Sequence, residues 1–413
     1  MLWRVALLTL AALLLTAGKP RHFDSHTVYR VLPTKELHVQ FLNEFADEHL
    51  HDILFWEDAN VANKSADVMV TPRMQSSFVK ALKEKSITYS VFIEDVQKLI
   101  DKQLPDNVSM GPFGWDVYHT LHDVHAWLNS LPASYPGIVT TVRAGFSFER
   151  LEILGVKISY GTGRPIAVIE GTIHAREWIS TASVTWFINE ILSSTDARVR
   201  SIIDQFDFYI FPVTNPDGYE YSWTDDRMWR KTRRPNGPCF GTDGNRNWDH
   251  RWSEGGASSD QCREDYAGPK AFSECETKAM SEFLTSLGSD LQVYLSFHNY
   301  RQLLIYPYGS SHEVADNAAE LHKMAEKAVK ALESRYGTHY GFGSVADAIY
   351  PATGGSIDWV KGKLGVPYVF LWELRDKGQY GFLLPPDQII PTSEETFYSV
   401  LSILEDVWDA LRC

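Results

Sequence analysis

Residues 165–194 read PIAVIEGTIHAREWISTASVTWFINEILSS, and this stretch decides the fold class. It begins with the apolar run PIAVIEG, which predicts a buried β-strand, and ends with TASVTWFINEILSS, which predicts an amphipathic helix. The same alternation recurs later, in the strand-like runs FDFYIFPV and LQVYLSFH and in a helix-like segment at 318–336. Alternating strands and helices predict an α/β domain in which helices flank a sheet and functional residues gather at strand ends.

Between the strand and the helix of this stretch, His174 and Glu177 lie three residues apart. A helical turn, or a tight bend that enters a helix, can direct an imidazole and a carboxylate at this spacing toward one point. The pair is weak evidence by itself, because a single histidine is usually structural. A second histidine, His298, also ends a hydrophobic run. Two histidines and one carboxylate suit a catalytic zinc ion with a fourth position open to water.

Glu373 is the candidate general base for such a site. Hydrolysis at a metal needs a base that takes a proton from water and a cation that stabilises the developing oxyanion. Glu373 follows the apolar run PYVFLW, so a strand can deliver it to the site partly desolvated. An ion pair with Arg375 or with another loop cation is the alternative role for this carboxylate.

The N-terminal part of the chain has a different organisation. Residues 1–17 combine one early Arg, an apolar run and terminal small residues, which predicts a secretory signal peptide. Residues 26–101 read strand, helix, strand, strand, helix, strand, and this βαββαβ order predicts a small α+β open-faced sandwich. Residues 101–114 carry Pro, Gly, Asp and Asn without periodicity, which predicts a linker between two domains.

Composition argues against two classes of partner. The net charge of -14 is unfavourable for nucleic-acid binding, which depends on Lys and Arg. No apolar run reaches the ~20 residues that a membrane-spanning helix needs. Asn63 and Asn107 have the form of glycosylation acceptors. Secretion would permit disulfides, and spacing alone leaves the pairing open among the four cysteines, Cys239, Cys262, Cys275 and Cys413.

Seven motifs together resemble one family. They are, in chain order between residues 174 and 392, HAREW, VTNPDGYEYSW, MWRKTRR, DGNRNWD, SFHNYRQLLIYPYG, ATGGSIDW and ELRDKGQYGFLLPPDQIIPT. The chain resembles the zinc metallocarboxypeptidases of the pancreatic and insect digestive carboxypeptidase A/B family, and its N-terminal domain resembles their inhibitory pro-segment. The resemblance implies a mixed eight-stranded sheet flanked by helices at 110–413, preceded by an activation domain at 18–109.

The resemblance also implies the catalytic machinery. Its zinc ligands would be His174, Glu177 and His298. Carboxypeptidase A is itself a known example of this ligand set, so the zinc chemistry and the resemblance form one argument. Glu373 would act as general base and then general acid for attack by a zinc-activated water, and Arg230 would stabilise the oxyanion.

Substrate binding follows from the same resemblance. The residues expected to bind the terminal carboxylate of the substrate are Asn245, Arg246 and Tyr350. A guanidinium matches a carboxylate in two hydrogen bonds, which favours a C-terminal rather than an internal peptide bond. Residues upstream of the scissile bond would contact Arg176 and Tyr300. Asn299 stands where Ser is usual in the family, which leaves these upstream contacts open.

Ile357 takes the pocket position where an enzyme specific for basic residues would carry an acid. Burying the charge of a C-terminal Lys or Arg against Ile357 would be costly, so we expect aliphatic and aromatic C-terminal residues. Leu371 stands where a smaller or polar residue is common and would narrow the pocket. Three further residues match lining positions: Val345, Gly309 and Ile305.

The resemblance implies one disulfide, between Cys239 and Cys262, which would rigidify the neighbouring carboxylate-binding motif. Cys275 and Cys413 lie outside it and either pair with each other or stay free. No paired basic residues separate the two domains. Lys102 is the candidate for a trypsin-like activating cut.

The resulting hypothesis is a secreted, monomeric zymogen that takes peptide and protein C-termini as substrates. Its own pro-domain would be the inhibitor, and a trypsin-like protease would activate it. A non-catalytic peptide-binding relative is one alternative, which loss of Glu373, Arg230 or a zinc ligand would favour, and none is lost. A metalloendopeptidase is the other alternative, and the carboxylate-binding Arg246 argues against it.

Overall fold

The structure, a computed structural model, describes residues 20–104, 112–310 and 313–412. These residues form a four-stranded sheet, an eight-stranded sheet and a two-stranded hairpin. Several expectations fall outside them: the signal peptide at 1–17, the boundary between residues 109 and 110, the acceptor Asn107, and Cys413.

The N-terminal domain has the predicted βαββαβ order followed by one more helix. Its elements are β1 (Thr27–Leu32), α1 (Glu36–Glu48), β2 (Ile53–Glu57), β3 (Ala66–Val70), α2 (Gln75–Glu84), β4 (Thr88–Ile93) and α3 (Val96–Gln103). The strands pair antiparallel in the order β2-β3-β1-β4. Side chains from α1 and α2, among them Leu42, Phe78 and Leu82, pack with one face of the sheet.

The other face of this small sheet packs against the large domain. All five residues of β3 are buried, although alternate residues of a strand point to opposite faces. Val68 packs with the helices, whereas Met69 belongs to an apolar cluster that includes Tyr300 and Phe382 of the large domain. The open face of the sandwich is therefore covered.

The linker predicted at residues 101–114 begins later than expected, because its first three residues are helical. Residues 101–103 belong to α3, which begins at a cap where Asp95 accepts a hydrogen bond from the Gln97 amide at 3.1 Å. The helix is stabilised by contacts that the local sequence does not reveal. In particular, the Gln103 side chain donates a hydrogen bond to the Leu384 carbonyl of the large domain at 2.9 Å.

The large domain alternates strands and helices as expected. Its first half contains α4 (Leu121–Ser134), β5 (Val139–Phe146), β6 (Glu152–Ile158), β7 (Ile166–Gly171), α5 (Trp178–Ser193), α6 (Ala197–Ile203), β8 (Asp207–Phe211), α7 (Pro216–Thr224), β9 (Pro235–Asn236) and β10 (Cys239–Phe240). Its second half contains α8 (Cys275–Ser286), β11 (Leu291–Asn299), β12 (Leu303–Tyr306), α9 (Ala318–Tyr336), β13 (Gly341–Ser344), α10 (Val345–Ala348), α11 (Ser356–Leu364), β14 (Tyr368–Leu374) and α12 (Ile389–Leu411).

The eight strands of the main sheet have the order β13-β12-β14-β11-β7-β8-β6-β5. The sheet is mixed: β7, β8, β11 and β14 run parallel, whereas β5, β6 and β12 introduce antiparallel pairs. Apolar clusters lie on both faces, where α5, α9 and α12 pack on one side and α8 and α11 contribute to the other. The predicted α/β architecture with a mixed eight-stranded sheet is confirmed.

The parallel strands β7, β11 and β14 are neighbours, so their carboxyl ends meet at one edge of the sheet. His298 lies directly beside Glu373 in the register of β11 and β14, and Phe297 pairs with Gly171 at the end of β7. This edge is where an open α/β sheet usually places its ligand site.

Two long connections of the large domain contain short regular elements. The loop at 335–355 holds β13 and α10, and the loop at 222–269 holds the β9–β10 hairpin. The sequence GFGS of β13 has no apolar periodicity, because this edge strand depends on hydrogen bonds to β12 rather than on a buried side-chain face. No helix in the described part of the chain is long and apolar enough to cross a membrane.

Replacing Leu295 by Ala tests the central strand of the sheet. Leu295 on β11 is fully buried, so we expect a loss of about 2–5 kcal/mol in the free energy of unfolding. The control Leu37→Ala, on an α1 side chain that is 72% exposed, should change it by less than about 0.5 kcal/mol. Denaturant unfolding followed by tryptophan fluorescence measures both. Equal losses would contradict the assignment of β11 to the core.

Candidate active site

His174, Glu177 and His298 form a buried cluster at the carboxyl edge of the main sheet. Their candidate ligand atoms all lie within 4.8 Å of one another. One Glu177 oxygen lies 2.8 Å from His174 Nδ1, and the other lies 3.1 Å from His298 Nδ1. This is the only such group among the described histidines, cysteines and carboxylates. The three side chains therefore converge as a metal site requires.

The turn after β7 directs two of these side chains inward. Thr172, with φ 56°, leaves the strand, and its amide donates to the Ser180 hydroxyl at 3.0 Å. Glu177 then caps the N-terminus of α5 and accepts, through its backbone carbonyl, the Ser180 amide at 3.0 Å. Because the turn is tied to the first turn of α5, the spacing of His174 and Glu177 is fixed by backbone hydrogen bonds.

A second layer of polar groups holds the two imidazoles. His174 Nε2 lies 3.0 Å from an oxygen of Asp243, and His298 Nε2 lies 3.1 Å from the Ser296 hydroxyl. That hydroxyl donates in turn to the buried carboxylate of Glu170 at 2.6 Å. Such outer partners orient the ring of a metal-binding histidine. The sequence analysis missed all three partners, although Asp243 begins the DGNRNWD motif.

The charges of this cluster favour the ionised form of its carboxyl groups. Burial opposes ionisation of Glu177, but the two imidazoles outweigh burial and hold its pKa well below the usual range. Burial also opposes the charge of Asp243, and Arg230 and His174 outweigh it, so that its pKa is likewise low. Both carboxylates are therefore anionic at neutral pH. Ionised carboxylate and imidazole are suitable zinc ligands, so the residues present fit the metal.

Glu373 lies beside this cluster and not in an ion pair with Arg375. Arg375 instead donates to Glu395 on α12, with its Nε at 2.7 Å from one oxygen. Burial and the charge of Glu177 raise the pKa of Glu373 to about 8, against the opposing effects of His298 and Arg230. Glu373 thus faces the metal ligands as a desolvated carboxyl group.

Arg230 lines the same cavity as Glu373. Its guanidinium donates to Asp243 at 2.8 Å and approaches Glu177 to 3.8 Å. Burial disfavours its charge, but these two carboxylates outweigh burial and raise its pKa. A permanent cation therefore faces the point where His174, Glu177 and His298 converge.

Arg246 and Tyr350 meet further inside the cavity. The Arg246 Nη2 atom lies 3.1 Å from the Tyr350 hydroxyl. Two other guanidinium nitrogens donate to the Gly256 and Asn245 carbonyls, each at 2.9 Å. These carbonyls fix the orientation of a guanidinium that is only 8% exposed. The Asn245 side chain itself accepts the Ser356 amide at 2.9 Å. The three residues expected to bind a carboxylate are thus brought together.

The space around these groups amounts to about 960 Å³ when its part that is open to solvent is included. Its apolar lining includes Ile305, Val345, Ile357 and Leu371. Gly309 is buried close behind it and donates its amide to Asp358 at 2.8 Å. The pocket expected from the sequence is therefore present at the edge of β12, β14 and α11.

Asp358 is a polar exception in this pocket that the sequence analysis did not single out. It lines the cavity beside Ile357, and one of its oxygens has no hydrogen-bond partner among the described residues. Burial raises its pKa to about 7, although the hydrogen bond from the Gly309 amide opposes the rise. Its neutral form is therefore accessible near physiological pH.

The two residues expected to bind upstream parts of the substrate form contacts with the N-terminal domain. The Tyr300 hydroxyl donates to Asp67 at 2.6 Å, and Asp67 also accepts two hydrogen bonds from Arg30. Arg176 lies 3.5 Å from the Phe55 carbonyl and stacks over Phe382 at 4.3 Å. The side-chain amide of Asn299 donates to the Gly381 carbonyl at 3.2 Å.

The end of β2 reaches the cavity itself. Trp56, Glu57 and Asp58 contribute to its lining together with the candidate catalytic residues. Asp58 lies 3.5 Å from the Tyr350 hydroxyl, and Glu57 forms an ion pair with Arg301. The small domain thus covers the site with two carboxylates that face two arginines, Arg246 and Arg301.

The Cys239–Cys262 disulfide is present, with a Cα–Cα distance of 5.3 Å. The two cysteines are 23 positions apart, and the loop that they close contains the DGNRNWD motif. Cys275 has no disulfide partner in the described residues. The bridge therefore restrains the segment that carries Asn245 and Arg246.

Two family models match the chain over its two domains. A carboxypeptidase activation peptide model matches residues 29–103, and a zinc carboxypeptidase model matches residues 124–399. Zinc carboxypeptidase A 1 of Anopheles gambiae is 42% identical over 98% of this chain and 95% of its own length. Carboxypeptidase A2 of Rattus norvegicus is 40% identical over 97% of this chain and 98% of its own length.

Solved structures agree with these relatives. The crystal structure of thrombin activatable fibrinolysis inhibitor superposes with a TM-score of 0.87 and 34% identity over 93% of this chain and 99% of that chain. The structure of carboxypeptidase A from Helicoverpa armigera gives a TM-score of 0.84 with 26% identity over 95% and 99% of the two chains.

Fold and site together define the precursor of a zinc-dependent peptide hydrolase. The chain belongs to the zinc carboxypeptidase family and, with its activation peptide domain, is a procarboxypeptidase A-like protein. The two-histidine, one-carboxylate cluster is positioned to bind the zinc ion of that family.

Substitution Asp243→Asn tests the second layer of the metal site. Asn can still accept the hydrogen bond of His174 Nε2 but lacks the negative charge that raises the basicity of the imidazole, so we expect zinc affinity to fall by about 10–100-fold. Competition with a fluorescent chelator measures the affinity. The matched control is Asp249→Asn in the same motif, because Asp249 is exposed. Unchanged affinity in Asp243→Asn would show that the imidazole needs no carboxylate to bind the metal.

Proposed function

We propose that the mature domain removes single aliphatic or aromatic residues from peptide C-termini, with the residue roles given below. The observation that carries this proposal is the Arg246–Tyr350 pair, which is buried beside the metal ligands and the base candidate Glu373. A buried guanidinium in a cavity with apolar walls favours a ligand that combines a carboxylate with an apolar side chain.

Each residue has a role that its surroundings support. Zinc held by His174, Glu177 and His298 would supply Lewis acidity for hydrolysis. Glu373 takes the proton of the attacking water and delivers it to the departing amine, a task for which a carboxyl group with a raised pKa is suited. Arg230 donates hydrogen bonds to the carbonyl oxygen as negative charge develops there.

The carboxylate-binding group selects the end of the chain. Arg246, Asn245 and Tyr350 would bind the terminal carboxylate, which places the last peptide bond next to Glu373. An internal peptide segment offers no carboxylate at this point and would leave Arg246 buried and unpaired. A buried guanidinium without a carboxylate partner is unfavourable in a desolvated site. This argument favours an exopeptidase over a metalloendopeptidase.

The precursor form would be latent because the N-terminal domain occupies the upstream part of the cleft. Tyr300 and Arg176, which would bind the upstream residues, contact Asp67 and the Phe55 carbonyl instead. The signal-like residues 1–17 support secretion, and a monomer is the simplest assembly for a site completed within one chain. We place the catalytic domain at 110–413 and the pro-domain at 18–109.

A trypsin-like protease is a candidate activator, and Lys102 is its candidate site. No Lys or Arg occurs between Lys102 and Arg143, so this is the last basic residue before the large domain begins. Lys102 is exposed, although it lies on α3 and its neighbour Gln103 is buried against Leu384. Cleavage there would require α3 to unwind locally.

Activity after cleavage is the direct test of this function. Trypsin-treated, zinc-loaded protein should release Leu and Phe from peptide C-termini, and a chelator should abolish the release. Glu373→Gln should reduce kcat/KM by at least about 100-fold, because it removes the proton acceptor. Amino-acid analysis of the released residue measures the rate. The control Glu282→Gln, on an exposed α8 side chain, should retain full activity.

Other outcomes would change specific parts of the proposal. Release of Lys alone would show that Asp358 rather than Ile357 dominates the pocket. Cleavage inside C-terminally amidated peptides would favour an endopeptidase. Inactivity of correctly cleaved, zinc-loaded protein would favour a non-catalytic peptide-binding role.

The affinity of the pro-domain should depend on pH through Asp58. Burial and the charge of Asp265 raise its pKa to about 6, against the opposing effects of Arg230, Arg263 and Arg246. A carboxyl group with a raised pKa binds its proton more tightly in the docked state. Docking is therefore strongest at low pH and weakens as the pH rises through about 6, the pKa of docked Asp58.

The cleaved complex of pro-domain and enzyme provides the measurement. Its apparent dissociation constant should rise several-fold between about pH 5 and pH 7.5, and Asp58→Asn should remove most of this dependence. Glu36→Gln serves as the control, because Glu36 is an exposed acid on the outer helix α1. An Asp58→Asn complex that keeps the full pH dependence would assign it to another group.

A further inference from the structure

Arg301 follows Tyr300 at the mouth of the cleft and was not among the residues that the sequence singled out. Its side chain lines the same cavity as Glu373 and Tyr350. The amides of Arg301 and Gln302 both donate to the Leu374 carbonyl at 3.1 Å. These two hydrogen bonds hold the loop against the end of β14, one residue beyond Glu373. Arg301 is therefore fixed on the side of the cavity that carries the candidate base.

In the precursor, the pro-domain supplies a counter-ion for the guanidinium of Arg301. This guanidinium forms an ion pair with Glu57 and also approaches the Ser65 carbonyl at 3.4 Å. Glu57 is its only carboxylate ion-pair partner in the described residues. The side chains of the pair are 23% and 11% exposed for Arg301 and Glu57, so the contact is largely withdrawn from water.

Departure of the pro-domain removes this partner and leaves the cation in place. Water then solvates the uncovered guanidinium in part, and a ligand that supplies a carboxylate recovers the ion pair. Burial lowers the pKa of Arg301 to about 10, with the nearby Glu373 opposing the change. The side chain therefore remains cationic at the pH of any digestive or extracellular fluid that is near neutral.

The position of Arg301 identifies which part of a substrate it can reach. The terminal carboxylate is expected at Arg246, and the scissile bond at Glu373. Arg301 directly follows Tyr300, and both side chains contact the pro-domain, Tyr300 through Asp67 and Arg301 through Glu57. Its partner side chain must then belong to a residue that precedes the C-terminal one.

We propose that Arg301 is a specificity-determining residue of the mature enzyme, which selects substrates with an acidic side chain one or two residues before the C-terminal residue. Glu57 of the pro-domain occupies the place of that side chain in the precursor. The inference rests on the proposed exopeptidase function and adds the chemical class of the upstream residue. Asp and Glu are thus favoured near the end of the substrate, while the last residue itself is apolar.

Four peptides that end in Leu test the inference on the activated enzyme. Two carry Glu or the isosteric Gln immediately before Leu, and two carry the same pair one residue further upstream. We expect kcat/KM to be about fivefold to tenfold higher for Glu than for Gln at one of these positions, which is the size of a partly desolvated ion pair. This comparison needs no variant.

Variants then assign the preference to one side chain. Arg301→Gln should bring the Glu to Gln ratio close to one, whereas Arg301→Lys should retain part of it. The matched control Lys323→Gln removes a positive charge from an exposed position on α9 and should leave the ratio unchanged.

Three results would overturn the inference. The wild-type enzyme could show no preference for Glu at either position, which would mean that Arg301 turns to Glu373 once the pro-domain has left. The preference could survive in Arg301→Gln, which would assign it to another cation. Failure to release Leu even from the Gln peptides would refute the exopeptidase function and this inference with it, whereas normal release without a charge preference would refute the inference alone.

Discussion

The carboxylate of Glu177 lies between the imidazoles of His174 and His298 in a region nearly closed to water, and the surrounding structure has to stabilise this contact. Burial of three polar groups is unfavourable unless every side of each is matched. Three parallel strands deliver the groups or their neighbours to one edge of the sheet. The outer sides of the two rings are then taken by Asp243 and Ser296. The metal site is in this sense a product of the sheet topology.

The same electrostatic constraint shapes the way the cleft is closed. Its walls present guanidinium groups, including Arg230, Arg246 and Arg301, within largely apolar surroundings. Arg230 already has Asp243 as a counter-ion, but a cover made only of apolar side chains would leave Arg301 without one. The pro-domain instead places Glu57 and Asp58 at the end of β2, directly after the buried Trp56. One short strand end therefore supplies both the apolar contact and the negative charge.

The sequence predicted the regular parts of this molecule well, because strand and helix periods are local properties. The helix α9 begins and ends at the predicted residues, whereas β13 was missed because its GFGS sequence has no period of its own. The zinc ligands were predictable from their motifs. The partners Asp243 and Glu170 were not, since a contact between residues 69 positions apart, such as His174 and Asp243, depends on tertiary structure. The ion-pair partner of Arg375 could not be predicted for the same reason, because this partner, Glu395, lies on another element, α12.

The buried carboxylate of Asp67 has a consequence for the timing of activation. It joins Arg30 of the pro-domain to Tyr300 of the large domain. Scission of the chain segment that connects the two domains breaks a covalent tether but none of these three hydrogen bonds. Cleavage of the chain and dissociation of the pro-domain are consequently separate events with separate rates. A precursor cleaved only in that segment would therefore keep its cleft covered for as long as the two parts of the chain remain associated.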